Sequence, residues 1–209
     1  MRTVAQTLPR VAAVLAAACL LSGCVMFEQS PAALTCDPAL VGRWIPLPGD
    51  LYKVPLENDY VEVDATCRAR LADADAPTDG APAFNARGFE LDGARYLVLG
   101  FDDMEGLFGT DRAATPPIPK GMPAGAVTLL KYRIRNDTLQ IAMLDTVDIM
   151  QRVQQGSLKA READASTYVF EGSPDQLRKL LASEPALFDA FDGRDKTLRM
   201  RRAKTEKSS

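Results

Sequence analysis

Residues 60–71 (YVEVDATCRARL) alternate strictly between apolar and polar side chains. Val61, Val63, Ala65, Cys67, Ala69 and Leu71 share one face; Glu62, Asp64, Thr66, Arg68 and Arg70 share the other. A period of two over this length predicts a half-buried antiparallel strand, with Cys67 on its inner face. Upstream, residues 40–47 (LVGRWIPL) hold the sole tryptophan, Trp44, and predict a first strand that ends at Pro46 and Pro48. Residues 87–101 predict a hairpin turning at Asp92-Gly93, where both residues tolerate the positive φ of a type I′ turn. Residues 127–144 predict a second hairpin, turning at Asn136-Asp137. Its inner positions are Leu130, Tyr132 and Ile134 going out, then Leu139, Ile141 and Met143 coming back.

From residue 145 the apolar period lengthens. Asp145 can cap a helix whose stripe is Thr146, Ile149, Met150 and Val153, with Gly156 ending it. Two short strands follow, over 158–162 and 167–171. A second helix has clear starting grammar: Ser173 as N-cap, Pro174 in the first turn and Gln176 closing a capping box. Leu177, Leu180 and Leu181 form its apolar face, and Pro185 breaks it. Leu187, Phe188 and Phe191 predict one more short apolar turn. Residues 197–202 (TLRMRR) predict a last strand with Leu198 and Met200 inward. Both helical stripes are packing surfaces for a sheet. The expected class is α+β or mainly β: an antiparallel sheet or half-open barrel of about eight strands, with two helices packed on it.

Residues 11–21 (VAAVLAAACLL) break these patterns. They are an unbroken apolar run of 11 residues behind Arg2 and Arg10. A membrane-spanning helix needs roughly 20. The run fits instead the core of a signal peptide. The residues that follow, Leu21-Ser22-Gly23-Cys24, resemble the lipobox of bacterial type II signal peptides. The resemblance implies a diacylglyceryl group on the Cys24 sulfur, cleavage between Gly23 and Cys24, and acylation of the new amine. Two or more acyl chains hold a protein stably where one is marginal, at ~0.8 kcal/mol per buried CH₂. The alternative is an ordinary secretory signal with a chance cysteine. By the same resemblance the protein sits in the bacterial cell envelope, anchored to the membrane by its lipid. Val25 stands where enteric bacteria use aspartate for inner-membrane retention, which implies the outer membrane, facing the periplasm. The chain then divides into a removed signal peptide (1–23), a lipidated tether (24–35), one β-rich domain (36–202) and a frayed tail (203–209).

The leader changes the cysteine arithmetic. Of four cysteines, Cys19 lies in the removed segment and Cys24 is the lipidation site. Cys36 and Cys67 remain, 31 positions apart, in an oxidising compartment where disulfides persist. They are expected to pair, a crosslink worth ~3–4 kcal/mol by chain entropy; the alternative is two free thiols. Removing 23 residues, two of them arginine, from 209 leaves 186 with a formal charge of −5. That balance gives no footprint for nucleic acid and no polybasic membrane surface. The chain has no histidine. Ser-His-Asp and Cys-His arrangements are therefore excluded. No P-loop, Ser-x-x-Lys pair or Gly-x-Ser-x-Gly elbow occurs, and two cysteines without histidine make no usual zinc site. No catalytic residue, no metal site and no cofactor other than the lipid on Cys24 is expected, so the protein is read as a non-enzyme. Asp73, Asp75 and Asp79 lie in an acidic loop over 73–82, but Pro77 and Thr78 occupy places where an EF-hand needs a ligand and a glycine.

Residues 102–126 contain four prolines and four glycines, with an acidic first half (Asp102, Asp103, Glu105, Asp111) and a stiff second half (TPPIPKGMPAG). A loop of this length is either functional or simply mobile. It is the candidate contact surface for an envelope protein partner. Gly42-Arg43-Trp44, close behind a lipobox, is similar to the opening of bacterial lipocalin-type lipoproteins. That resemblance implies that Trp44 closes the base of a barrel and that an arginine of the last strand, Arg199 or Arg201, packs on its face. Two helices interrupt the meander such a family would continue. The late capped helix followed by Leu187-Phe188 resembles β-rich proteobacterial lipoproteins with no assigned activity. Three roles are compatible with these residues: a non-enzymatic protein-interaction module, a hydrophobic-ligand carrier, or an inhibitor of a cell-wall hydrolase.

Overall fold

The computed structural model describes residues 24–48, 59–73, 81–108, 121–164, 167–192 and 197–204. The signal segment 1–23, most of the acidic loop 73–82 and the middle of 102–126 lie outside them.

The architecture is mainly β with helices packed on it, as the patterns predict, but with twelve strands and three helices among the described residues. Nine strands form one antiparallel path. β2 (Gly42–Pro46), β3 (Asp59–Val63), β4 (Arg68–Asp73) and β5 (Ala83–Asn85) follow as a meander. β6 (Gly88–Leu91) pairs with β7 (Ala94–Gly100), β7 with β8 (Val127–Arg135), and β8 with β9 (Thr138–Ala142). The last strand, β12 (Thr197–Arg202), lies between β9 and β2 and joins the two runs. β5 and β6 do not pair with each other, so the sheet stays open there. Its ends nonetheless approach: Leu71 of β4 and Leu97 of β7 belong to one buried cluster with Trp44, Val61, Tyr132, Leu139, Ile141, Leu198 and Met200. The sheet must curl around that cluster for strands so far apart in order to share it.

A second arm leaves β8. β1 (Cys24–Phe27) pairs with the start of β8 and, in parallel, with β11 (Thr167–Phe170), which carries β10 (Arg161–Asp164) at its edge. The segment 24–35, expected as a tether, therefore begins with a sheet strand. Val25, Met26 and Phe27 are all buried, an apolar triplet that alternation rules cannot recognise because both of its faces are covered.

The region 60–71 is also corrected: it is the β3–β4 hairpin and not one strand. A three-residue loop, Ala65 to Cys67, connects the arms, with Cys67 at φ 61°. The Asp64 carboxylate holds this turn, accepting hydrogen bonds from the Thr66 and Arg68 amides and the Thr66 hydroxyl. Val61 pairs with Leu71 and Val63 with Ala69. An odd loop keeps inward positions at odd numbers on both arms, so the alternation runs through the turn unbroken. The two-residue turns at Asp92-Gly93 and Asn136-Asp137 form as predicted, with all four residues at positive φ.

β7 and β8 are covered on both faces. Leu97 and Leu99 enter the first cluster, while Tyr96, Val98 and Leu129 enter a second with Val25, Phe27 and Phe170. Helices α2 (Thr146–Gln154) and α3 (Pro174–Ser183) supply Ile149, Leu177 and Leu181 to that second cluster. Both helices begin as their sequences dictate. Asp145 accepts from the Asp148 amide, and Ser173 and Gln176 complete a reciprocal capping box. A 3₁₀ turn, Pro185–Leu187, buries Leu187 beneath them.

Helix α1 (Phe101–Phe108) occupies the first part of the segment read as a loop. Asp103 nucleates it by reaching back to the Gly100 amide, and the same carboxylate accepts from the backbone and side chain of Asn85 on β5. At the other terminus, the Ala203 amide still donates to the Arg43 carbonyl, so the sheet extends one residue into the expected tail.

Candidate functional site

Gly42-Arg43-Trp44 sits at the start of β2, directly after the 3₁₀ turn Pro38–Leu40. Trp44 is fully buried, and its indole N–H donates to the Leu40 carbonyl at 2.7 Å. The guanidinium of Arg202 lies over the indole ring at 4.2 Å. It also donates to the carbonyls of Val41 at 2.6 Å and Ala39 at 2.7 Å. Three successive carbonyls of the turn are thus satisfied by one tryptophan and one arginine. Gly42 makes the arrangement possible. Its φ is +125°, and a Cβ there would meet the Arg202 guanidinium at 2.9 Å.

The packing arginine is therefore Arg202, and not Arg199 or Arg201. Arg202 stands opposite Trp44 in the β12–β2 ladder. Arg199 and Arg201 are exposed. The signal was present in the sequence. If Leu198 and Met200 point inward, parity puts residue 202 inward with them and turns 199 and 201 out.

Cys36 and Cys67 form a disulfide, with Cα atoms 5.5 Å apart. It ties the chain entering the 3₁₀ turn to the β3–β4 loop. Asp37, next in sequence, caps that turn through Ala39 N and accepts from the Tyr132 hydroxyl at 2.7 Å. Arg95 approaches the same carboxylate at 3.5 Å. Burial, and then the Asp37 hydrogen bond, push the Tyr132 phenol above its ordinary value. Sequence patterns had placed Tyr132 inward but gave no partner for its hydroxyl, because Asp37 lies 95 positions away. Together these groups lock one end of the sheet. Their polar atoms face one another and the backbone.

At the first described residue, the Cys24 backbone pairs with Thr167. Val25, on which the outer-membrane expectation rests, is 4 % exposed and packs in the second cluster. A hydrophobic residue at 25 is thus also what the fold needs. Of the candidate contact segment 102–126, the described parts are α1 and residues 121–126. Asp103 is committed to holding α1 against β5. Phe101, Met104 and Met122 pack over buried Met26, Ala126 and Val169. No helix among the described residues is long and apolar enough to cross a membrane, a statement that leaves strands aside.

The described residues thus form an open, curled sheet, antiparallel except between β1 and β11, sealed at one end by a disulfide and a tryptophan–arginine stack and covered on one side by helices. No family model, curated protein or solved structure matches this chain.

Proposed function

We propose that this chain is a lipid-anchored protein of the bacterial cell envelope, attached at Cys24 and facing the periplasm from the outer membrane, and that it works without catalysis by binding another envelope protein. The observation that carries the reading is the distribution of its cysteines. Cys36 and Cys67 are joined, which fits export to an oxidising compartment, and Cys24 closes a Leu-Ser-Gly-Cys sequence behind an apolar leader. The inner face of the sheet favours surface binding over storage. Trp44, Leu71 and Leu198 fill it as one packed cluster, with 0, 0 and 1 % exposure. The partner surface we assign is the 102–126 segment, whose first part, α1, packs against β5 at the open edge. Recovery of crosslinked partners from cells tests this assignment. Shortening the segment between Phe108 and Gly121 should remove a partner that the intact chain captures; an unchanged set of partners would contradict it.

One observation favours a second reading. The Trp44–Arg202 stack has the form that the lipocalin resemblance implies for a barrel base. A hydrophobic-ligand carrier would have to open the packed inner cluster. Native mass spectrometry of the purified protein separates the two: a retained lipid beyond the Cys24 modification supports the carrier, and its absence supports the interaction module.

A further inference from the structure

We propose that Cys24 fixes the folded sheet to the bilayer with no spacer, so that the partner must be a protein at the surface of the membrane that carries the anchor. This rests on the lipid-anchor reading above.

Eleven extended residues, 25–35, would give a tether of about 40 Å. The fold uses them otherwise. Residues 24–27 run in parallel register with Thr167, Tyr168, Val169 and Phe170. Val25 and Phe27 enter the helix-side cluster, while Met26 enters the cluster beneath Phe101, Met104 and Met122, so β1 is covered on both faces. The chain beyond β1 is strapped down in turn. The Glu28 amide donates to Phe170 O, and the Glu28 carboxylate accepts from Gly172 N. The Gln29 side chain donates to Gly172 O, and Arg178 of α3 donates to Pro31 O at 2.6 Å. Thr35 exchanges two backbone bonds with Gly88. Contacts recur from the anchor residue to the disulfide.

Peeling this segment away would not merely lengthen a linker. β1 is the strand through which β10 and β11 join the rest of the sheet, so its release undoes that arm and exposes three buried apolar side chains. The reach of the anchored protein is therefore its own diameter. This domain cannot extend to a partner held far from its membrane, so only a protein present at that surface can meet it.

Protease release tests the inference. The lipidated mature chain is placed in vesicles of phosphatidylethanolamine and phosphatidylglycerol and compared with a variant carrying twelve Gly/Ser residues between Cys24 and Val25. Proteinase K should free the domain of the spacer variant and leave the native chain sedimenting with the vesicles. Release of the native domain at the same rate, with a new N-terminus within 25–35, would overturn the proposal. Hydrogen exchange on the vesicle-bound native chain is independent of any variant. Val25, Met26 and Phe27 should exchange as slowly as β8, and exchange at the rate of unstructured peptide would also overturn it. A native chain that fails to sediment before protease is added defeats the anchor reading itself, a result distinct from release.

Discussion

Arg202 carries two kinds of interaction at once. Its face stacks on Trp44, and its edge satisfies two carbonyls of the turn that precedes β2. Charge-assisted hydrogen bonds contribute ~1.5–3 kcal/mol each, and a cation–π contact ~0.5–2 kcal/mol. Arg202→Ala should therefore lower the unfolding free energy in urea by about 3.5 kcal/mol, the low end of that sum for a partly exposed side chain, whereas Arg199→Ala and Arg201→Ala should change it by less than about 0.5 kcal/mol. Equal losses at all three positions would contradict the stack. Tyr132 offers a pH test at the same scale. Its folded-state value is raised, by burial first and by Asp37 second, so its contribution is complete below the unfolded value near 10. It is lost as pH climbs above that value. Alkaline denaturation should begin near pH 10 and shift upward in Tyr132→Phe. Absorbance at phenolate wavelengths should show Tyr132 ionising only as the sheet opens.

At the scale of elements, the β3–β4 hairpin is tied three ways: by the Asp64 carboxylate, by Cys67 in the left-handed region and by the disulfide to Cys36. Thr66 and then the Arg68 amide hold Asp64 below the ordinary carboxylate range. Its contribution is present above the unfolded value of 3.8 and is lost as pH falls through the lower folded one. Cys36→Ser with Cys67→Ser should cost ~3–4 kcal/mol in urea unfolding. Ser173→Ala at the α3 cap should cost about 1 kcal/mol.

These elements also show what a sequence reveals. The caps of α2 and α3 and the two-residue turns were legible because each is written in consecutive residues. The β3–β4 turn was hidden because its odd loop preserves the alternation on both arms. β1 was hidden because a strand buried on both faces has no alternation to show. Helix α1 was hidden by the proline- and glycine-rich segment behind it, since its start depends on one carboxylate that also reaches β5. The tryptophan–arginine site was legible in type and missed in register by one position, although the parity of Leu198 and Met200 contained the answer.

At the scale of the molecule, β7 and β8 are shared by two cores, one inside the curled sheet and one beneath α2 and α3. Neither core can open without exposing the strands of the other. Trp44, the sole tryptophan, reports the first core, and helical circular dichroism reports the second. Denaturation followed by the two signals should give coincident curves, as a single cooperative transition requires; separated midpoints would mean the cores are independent. On the lipid-anchor reading proposed above, the same coupling would tie the membrane to the fold, because Cys24 is the first residue of β1, whose Val25, Met26 and Phe27 are buried between the sheet and the helical layer.

Cys24 is the residue on which the proposed anchor depends. Metabolic labelling with palmitate, compared between the native chain and Cys24→Ser, tests it most directly. Label is expected on the native protein and none on the variant. Label retained in Cys24→Ser, or a native chain that takes up none, would contradict it.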